Sequence, residues 1–220
     1  MVSVIIPTYE QKGFGYKMLA NLLHNISRQV TSVPVEVLVT DNSKDDMCER
    51  VAKHYNATYL RNPDRVGVSA NTNFSIDNAR YDTIKPMYMD DLFKGKSALQ
   101  RFTEAMKTND WVISNSVVIN EAGLPKREYK SVFTPGRMDK NTVGMPSCIA
   151  FRRNHVRFDE SLKTILDMVF YNDLYDAYGM PGHIDKASIC QRYWRGSISR
   201  NQTNMHQQEA EAWLGKRINP

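Results

Sequence analysis

The sequence predicts an α/β protein with a mainly parallel central sheet and helices covering its faces. β-branched apolar runs of strand length alternate with segments whose apolar residues recur at helical spacing. Helices between successive runs imply parallel pairing through right-handed crossovers. A third observation locates the ligand edge of that sheet. The run Lys85-Pro86-Met87-Tyr88-Met89-Asp90-Asp91-Leu92-Phe93 ends its apolar part in two adjacent carboxylates, and open α/β sheets bind ligands at the carboxyl ends of their strands.

Val2 to Ile6 reads as a buried strand, closed by Pro7 and a loop through Thr8, Tyr9 and Glu10. Tyr16, Leu19, Leu23, Ile26 and Val30 then recur at helical spacing. Val35 to Thr40 is a second strand ending at Asp41-Asn42-Ser43. Ser43, with Asp46 three residues on, predicts the cap of a helix reaching Tyr55. Ala57 to Leu60 is a short strand, followed by a polar loop from Arg61 to Gly67. Ser69 is expected to cap a helix through Ala79 with Phe74, Ile76 and Ala79 inward, and Ile84 to Met89 is the strand leading to the acid pair.

The second half begins with a helix carrying Ala98, Phe102, Ala105 and Met106, then a strand from Trp111 to Val118. Asn120 to Pro146, with Gly123, Pro125, Pro135 and Gly136, is an irregular or hairpin-bearing excursion, a usual place for recognition. Ser147 to Phe151 resumes as strand. Val169, Phe170, Leu174, Ala177 and Tyr178 follow at helical spacing from near Leu166-Asp167, with Gly179 as the stop. Gly182 to Ile189 is a further strand. The tail from Gln207 to Ile218, with Ala210, Trp213 and Leu214 inward, reads as a packing or lid helix.

The 220 residues suit a single domain, 1–220, and 41% apolar content is enough for a packed core. No apolar run reaches membrane-spanning length. The start, Met1-Val2-Ser3-Val4-Ile5-Ile6-Pro7, reads as a core strand and not a signal peptide. Cys48, Cys148 and Cys190 are scattered without zinc-like spacing, which favours free thiols and a cytoplasmic location. The net charge of +5 is spread along the chain. Its loosest basic cluster (Lys126, Arg127, Lys130, Arg137, Arg152, Arg153, Arg157) is either a solvated face or an anion-facing patch, where peripheral membrane contact would form. No nucleic-acid-binding pattern is present. Gly13-Phe14-Gly15 resembles a dinucleotide fingerprint, but Met18 stands where the third glycine belongs.

The crossover rule brings Glu10, Asp41 and the Asp90-Asp91 pair to one crevice. Two carboxylates there suit Mg²⁺ or Mn²⁺, which prefer oxygen ligands and complete their shells with water and substrate phosphate. The plain alternative is chance, since the chain holds 24 acidic residues and Asp45-Asp46 is a second such pair. For Asp41 the alternative is a turn-forming residue after a strand.

At this point the residues carry a resemblance. Val2-Ser3-Val4-Ile5-Ile6-Pro7-Thr8-Tyr9 resembles the opening strand of family 2 glycosyltransferases of GT-A fold. Glu36-Val37-Leu38-Val39-Thr40-Asp41-Asn42-Ser43 is similar to their second strand, and Arg65-Val66-Gly67-Val68-Ser69-Ala70-Asn71-Thr72-Asn73 to their Asn-x-Gly-x-(Ser/Ala)…Asn segment. Met89-Asp90-Asp91 stands where the family has Asp-x-Asp or an Asp-Asp variant. Arg192-Tyr193-Trp194-Arg195-Gly196-Ser197-Ile198-Ser199 resembles a later Arg-x-His-x-Gly-Ser-x-Ser segment, with Trp194 in place of His. Met89 replaces the first acid, Arg65 the usual Asn, and Leu166 the Glu of a Glu-Asp motif.

The resemblance implies an inverting, non-processive, metal-dependent transfer of a sugar from a nucleotide-diphosphate donor, UDP-type first, to a glycan, glycolipid or other hydroxyl acceptor. It implies a nucleotide-binding half over 1–110 and an acceptor half over 111–220. Pro7, Thr8, Tyr9 and Glu10 would line the base and ribose pocket, and Asp41 would accept the base's imide N–H. Arg65, Gly67 and Ser69 would approach the ribose and phosphates. Asp90 would meet sugar hydroxyls and share the cation with Asp91, and Arg192 or Arg195 would meet the diphosphate. Asp167 would be the base, with a helix cap as its plain alternative. The reading from another class is a non-catalytic sugar-nucleotide or glycan-binding module that keeps the fold.

Overall fold

The computed structural model describes residues 1–10, 13–62, 67–194 and 203–218. The first half alternates as expected: β1 (Val2–Thr8), α1 (Gly15–Ser27), β2 (Val35–Asp41), α2 (Met47–His54), β3 (Thr58–Arg61), α3 (Val68–Asn78) and β4 (Thr83–Pro86). The second half comprises β5 (Leu92–Phe93), α4 (Ala98–Ala105), β6 (Trp111–Ile119), β7 (Pro125–Tyr129), a 3-10 turn at Pro146–Cys148, β8 (Ile149–Arg152), α5 (Leu166–Tyr178), β9 (Gly182–Arg192) and α6 (Thr203–Ile218).

These strands form one sheet in the order β3-β2-β1-β4-β8-β6-β9-β5, with β7 hydrogen-bonded to β6. β1 pairs in parallel with β2 and β4, and β2 with β3. β8 runs against both β4 and β6, which leaves β6 and its parallel partner β9 pointing the same way as β1. The carboxyl ends of β1, β2, β3, β4, β6 and β9 therefore share one edge. α3 and α5 each lead back from that edge to the next strand, so their N-termini open on it too. Most strands point the same way, as the alternation predicts. β5, β7 and β8 run against their neighbours in the second half, and of these only β7 follows its partner β6 through a short connection.

Alternation along the strands fills two cores. Val2, Val4 and Ile6 of β1 face Leu19, Leu22 and Leu23 of α1, with Phe102 of α4 and Ala52 of α2 in the same cluster. Ile5 and Leu38 face the opposite layer, where Ile76 of α3 and Phe170, Tyr171 and Leu174 of α5 pack. A third, smaller cluster joins Ala210 of α6 to Met168 and Val169 of α5. Among the described residues no helix is long and apolar enough to cross a membrane.

Several local expectations change. Gly67, not Ser69, holds the N-cap position of α3, and Leu214 of α6 is exposed. β4 stops at Pro86, and the acid pair follows in a turn closed by the Asp91 N–H on the Tyr88 carbonyl, at 2.9 Å. Asp46, not Ser43, occupies the N-cap position of α2, because Ser43 donates to the Asp41 carboxylate instead. In α3, Ile76 and Ala79 are buried but Phe74 only partly so, and the inward face is largely polar: Asn71, Thr72, Asn73 and Ser75 are all buried.

That polar face has specific partners. Asn71 Nδ2 donates to the Thr8 and Thr40 carbonyls at 3.1 and 3.0 Å, and its Oδ1 accepts from Asn62 Nδ2 at 3.3 Å. One amide thus joins the ends of β1 and β2 to the residue after β3. Asn73 reaches the second half. It donates to the Phe158 carbonyl at 2.8 Å and Glu160 Oε1 at 3.0 Å, and accepts from the Phe158 N–H at 2.8 Å. Phe158 stacks on Phe170 of α5 with ring centroids 3.9 Å apart and planes 4° from parallel. α3 therefore sets both the strand ends and α5.

Replacing Asn71 with Ala removes a donor from each of the Thr8 and Thr40 carbonyls, of which Thr8 keeps the Asn42 N–H at 3.1 Å, and removes the acceptor of Asn62 Nδ2. A loss of about 1–3 kcal/mol in unfolding free energy is expected, measured by urea denaturation; a change within the scatter of surface mutations would remove Asn71 from this role.

Candidate functional site

The site is built first by the turn after β1. Pro7 and Thr8 are buried, and Thr8 Oγ1 donates to Met89 Sδ at 3.2 Å. Tyr9 turns outward, 51% exposed. Glu10 folds back on its own chain: its carboxylate accepts the N–H groups of Gly13, Gly15 and Tyr16 at 2.6, 3.3 and 2.9 Å. It thereby satisfies amides at the start of α1 that would otherwise lack partners. Gly15 is required by this closeness, since a Cβ there would meet the Tyr9 carbonyl oxygen at 2.5 Å. The glycine pair of the sequence serves this turn.

Asp41, at the end of β2, is fully buried. Oδ1 accepts from the Ser43 N–H and Oγ at 2.8 and 2.5 Å, and Oδ2 from the Tyr59 hydroxyl at 3.0 Å. Burial and the neighbouring Asp41 charge push the Tyr59 phenol up and the Cys48 thiol to about 11. Asp41 thus anchors a polar knot at the crevice wall, with Tyr59 as the partner a ligand's N–H would displace or join.

Across the crevice, Gly67 has φ 115°, a left-handed backbone suited to glycine, just before α3. Ser69 in the first turn of α3 is buried, and its Oγ has no hydrogen-bond partner among the described residues. Arg65 and Arg195 lie outside the described residues.

The acid pair divides its work. Asp90 is partly exposed, and its Oδ2 accepts the Trp194 indole N–H at 3.1 Å. Asp91 is 2% exposed; Oδ1 accepts the Arg192 N–H at 3.1 Å, while Oδ2 is buried with no partner among the described residues. Burial raises Asp90, and burial together with Asp90 pushes Asp91 up to about 8. Arg192 directs Nε to the Asp90 carbonyl at 3.2 Å and one terminal nitrogen to the Asn120 and Glu121 carbonyls at 3.3 and 2.7 Å. It holds the acid turn against the end of β6. Met89, which replaces an acid, is turned into the core and takes no place in the crevice.

Asp167 lies in the first turn of α5, at the same sheet edge, and is partly exposed. Burial pushes its carboxyl up to about 7. Among the described residues it accepts no hydrogen bond, so it does not cap α5. Tyr88 connects it to the acid pair: this buried phenol feels Asp167, Asp90 and Asp91 together, and burial and these charges push it up. The Tyr88 hydroxyl meets Thr72 Oγ1 at 3.4 Å.

Sequence reasoning gave Tyr88, Lys85, Ser147, Tyr59 and Glu209 no role. Lys85 is fully buried behind the turn, donating to the Pro86 and Ser147 carbonyls at 2.7 and 2.6 Å over the Phe102 ring at 4.5 Å. Burial lowers it to about 7, against the opposing pull of Cys148 and Asp91. Its one sequence signal is a lysine inside an apolar strand. Ser147 Oγ accepts the Tyr88 N–H at 2.9 Å.

Residues 3–166 match Glycosyl transferase family 2. The match stops one residue short of Asp167. S. aureus TarS residues 1–349 in complex with UDP-GlcNAc has a similar structure, with TM-score 0.68 and 21% identity over 91% of this chain and 60% of that one. The mannosyltransferase PcManGT from Pyrobaculum calidifontis, in complex with GDP-Man and Mn²⁺, has TM-score 0.63 and 14% identity over 98% of this chain and 64% of that one. Full TarS matches at TM-score 0.65 and 18% identity over 87% of this chain and 36% of its own. The chain thus spans less than two thirds of these relatives. Among curated proteins no sequence match is found. The likeness shows the fold, a GT-A arrangement of a central sheet flanked by helices.

Asp167's raised value has a consequence for stability. The unfolded carboxyl has a value of 3.8 and the folded one lies near 7, so the folded state favours the neutral acid. The contribution is fully present below the unfolded value and is lost as pH rises through the folded one. Asp167→Asn, which carries no charge, should therefore raise the melting temperature relative to wild type more at pH 8 than at pH 5. An equal difference at both values would contradict the burial of this carboxylate.

Proposed function

The chain belongs to glycosyl transferase family 2, and from that membership we propose that it moves a sugar from a nucleotide-diphosphate donor, UDP-type first, to a hydroxyl of a glycan or glycolipid, with inversion and with help from a divalent cation. One observation supports this above others. Among the described residues, Ser69 Oγ and Asp91 Oδ2 are buried without a hydrogen-bond partner at the edge shared by the strand ends; a third such atom, Asn154 Nδ2, lies after β8. Unpaired buried polar groups are costly and call for an explanation, and a phosphate-bearing ligand with its cation is one. UDP-GlcNAc and GDP-Man with Mn²⁺ in the two structural relatives are consistent with it.

The residues fit a cation. Asp91 offers an unpaired oxygen and Asp90 stands beside it, and a positive charge would relieve the mutual repulsion that raises Asp91. Among the described residues no group of three acidic, histidine or cysteine side chains could hold a metal. That accords with Mg²⁺ or Mn²⁺ bound by one or two carboxylates and completed by water and diphosphate. When bound, the cation supplies charge stabilisation to the departing diphosphate.

The chain's own residues do the rest. Gly67 and Ser69 bring backbone and hydroxyl donors to the phosphates at the start of α3, where the helix dipole favours anions. Tyr9 offers an exposed ring and Asp41 an acceptor at the base end. Trp194 holds Asp90 by its indole N–H, keeping that carboxylate in place to take a sugar hydroxyl. Arg192 braces the turn, and Arg195 belongs with the diphosphate. The acceptor oxygen attacks the anomeric carbon and forms the new glycosidic bond. The bond from that carbon to the diphosphate oxygen breaks, its electron pair leaving with the diphosphate. The acceptor proton passes to the Asp167 carboxylate, whose value near 7 matches a base working at neutral pH.

Two experiments test the reading. Asp91→Asn removes one charge with little change in size; calorimetry should show that Mn²⁺ no longer tightens UDP binding, and an unchanged metal-linked affinity would remove Asp91 from the cation. Asp167→Asn should keep donor binding while kcat falls by roughly 10²–10⁴. Wild-type turnover in that variant rejects Asp167 as the base, and a chain that binds nucleotide sugars without turning any over is the binding module instead.

A further inference from the structure

α6 lies beyond the residues that match the family, yet it reaches the first turn of the helix carrying Asp167. From it the Glu209 carboxylate accepts three consecutive backbone N–H groups: Lys163 at 2.9 Å, Thr164 at 3.0 Å and Ile165 at 3.3 Å. It also accepts the Thr164 hydroxyl at 2.7 Å. Burial pushes Glu209 up, but these four hydrogen bonds outweigh it and hold the carboxyl below its usual value. The docking is wider than one residue. Ala210 packs with Met138, Ile165, Met168 and Val169, and His206 Nε2 lies 3.0 Å from the Met138 carbonyl.

Ile165 is the N-cap residue of α5, and its side chain cannot accept a hydrogen bond. An acid in the first turn is ordinarily drawn to the unpaired amides and positive dipole end of its own helix. Asp167 is such an acid, and it makes no such bond. The amides just ahead of α5 are already turned to Glu209. We propose that Glu209 is a positioning residue for Asp167: from a separate helix it takes the N-cap amide of Ile165 and the two amides ahead of it, and so fixes the turn that opens α5 and keeps the Asp167 carboxylate off the Ile165 amide and directed to the acceptor. The role rests on the reading of Asp167 as the base. α6 is then part of the catalytic unit and not a mere packing helix.

The ionisable groups around Asp167 are Tyr88 from the turn after β4, Tyr171 from its own helix and Glu209 from α6, with Asp90 and Asp91 beyond Tyr88. Replacing Glu209 frees the amides. Asp167 would turn back to them, and hydrogen bonds to a carboxylate favour its charged form and lower its pKa.

Carboxyl NMR titration of the full chain reads this without any acceptor, with the Asp167 resonance assigned by its loss in Asp167→Asn. In Glu209→Ala, which leaves no acceptor, the Asp167 midpoint should fall by about one pH unit, whereas Glu209→Gln, which keeps an amide oxygen for the N–H groups, should move it less. Thr164→Val, which removes one of the four contacts, should also move it less and in the same direction, and serves if the first variant does not fold. In turnover, Glu209→Ala should lower kcat, leave the donor KM unchanged and move the acid limb of the pH profile down; a purely structural clasp would scale activity equally at every pH. Loss of turnover in Asp167→Asn, with an unmoved midpoint and kcat in Glu209→Ala, overturns the positioning role alone. Full turnover in Asp167→Asn overturns the base reading and the positioning role together.

Discussion

The buried amide of Asn71 is the interaction on which the rest depends. Parallel strands end with carbonyls that no hairpin covers, and a crevice opening there leaves them short of partners. Asn71 supplies two donors to the Thr8 and Thr40 carbonyls and an acceptor to Asn62. The floor of the crevice is thereby held with no side chain from the ligand's side. α3 can spend much of its inward face on polar residues because Asn71, Thr72, Asn73 and Ser75 have partners, and Ile76 packs it on the sheet. Asn73, two residues on, carries the same control to Phe158 and, through a ring stack, to α5.

That framework lets the edge hold groups which destabilise one another. Asp90 and Asp91 are adjacent and largely desolvated, Lys85 lies buried behind them, and Tyr88 is pushed up by burial and by three nearby carboxylates. Such clustering of perturbed acids marks functional sites more often than structural ones. The fold tolerates it because Arg192 holds the turn, its backbone N–H on Asp91 and its guanidinium on three carbonyls, and because the Arg192 and Lys85 charges partly offset those of Asp90 and Asp91. At this edge, Ser69 Oγ and Asp91 Oδ2 are buried without a partner among the described residues.

The architecture of the first half was legible in the sequence. β-branched apolar runs in Val2 to Ile6 and Val35 to Thr40, helical spacing in Leu19 to Ile26, and crossover handedness together determine that Glu10, Asp41 and the acid pair share an edge. Local stop signals also read true: Gly179 ends α5 with φ 78°. The segment from Asn120 to Pro146 reads as irregular or hairpin-bearing, and β7 does fold back on β6 as a hairpin. The sequence does not place this strand, because it is exposed along most of its length and carries no burial pattern.

What the tertiary structure alone decided is which polar residue serves which partner. In the chain Glu10, Asp41 and Asp167 are three acids at element ends, alike to any local rule. Packing distinguishes them: Glu10 meets the amides of its own α1, Asp41 is enclosed by Ser43 and Tyr59, and Asp167 is left unbonded among the described residues. Glu209 lies more than forty residues from the amides it holds, so no spacing in the sequence reveals it. Periodicity reports burial, which is a property of one segment and one face. Hydrogen-bond pairing and pKa depend on distances between segments, and only the folded chain sets those.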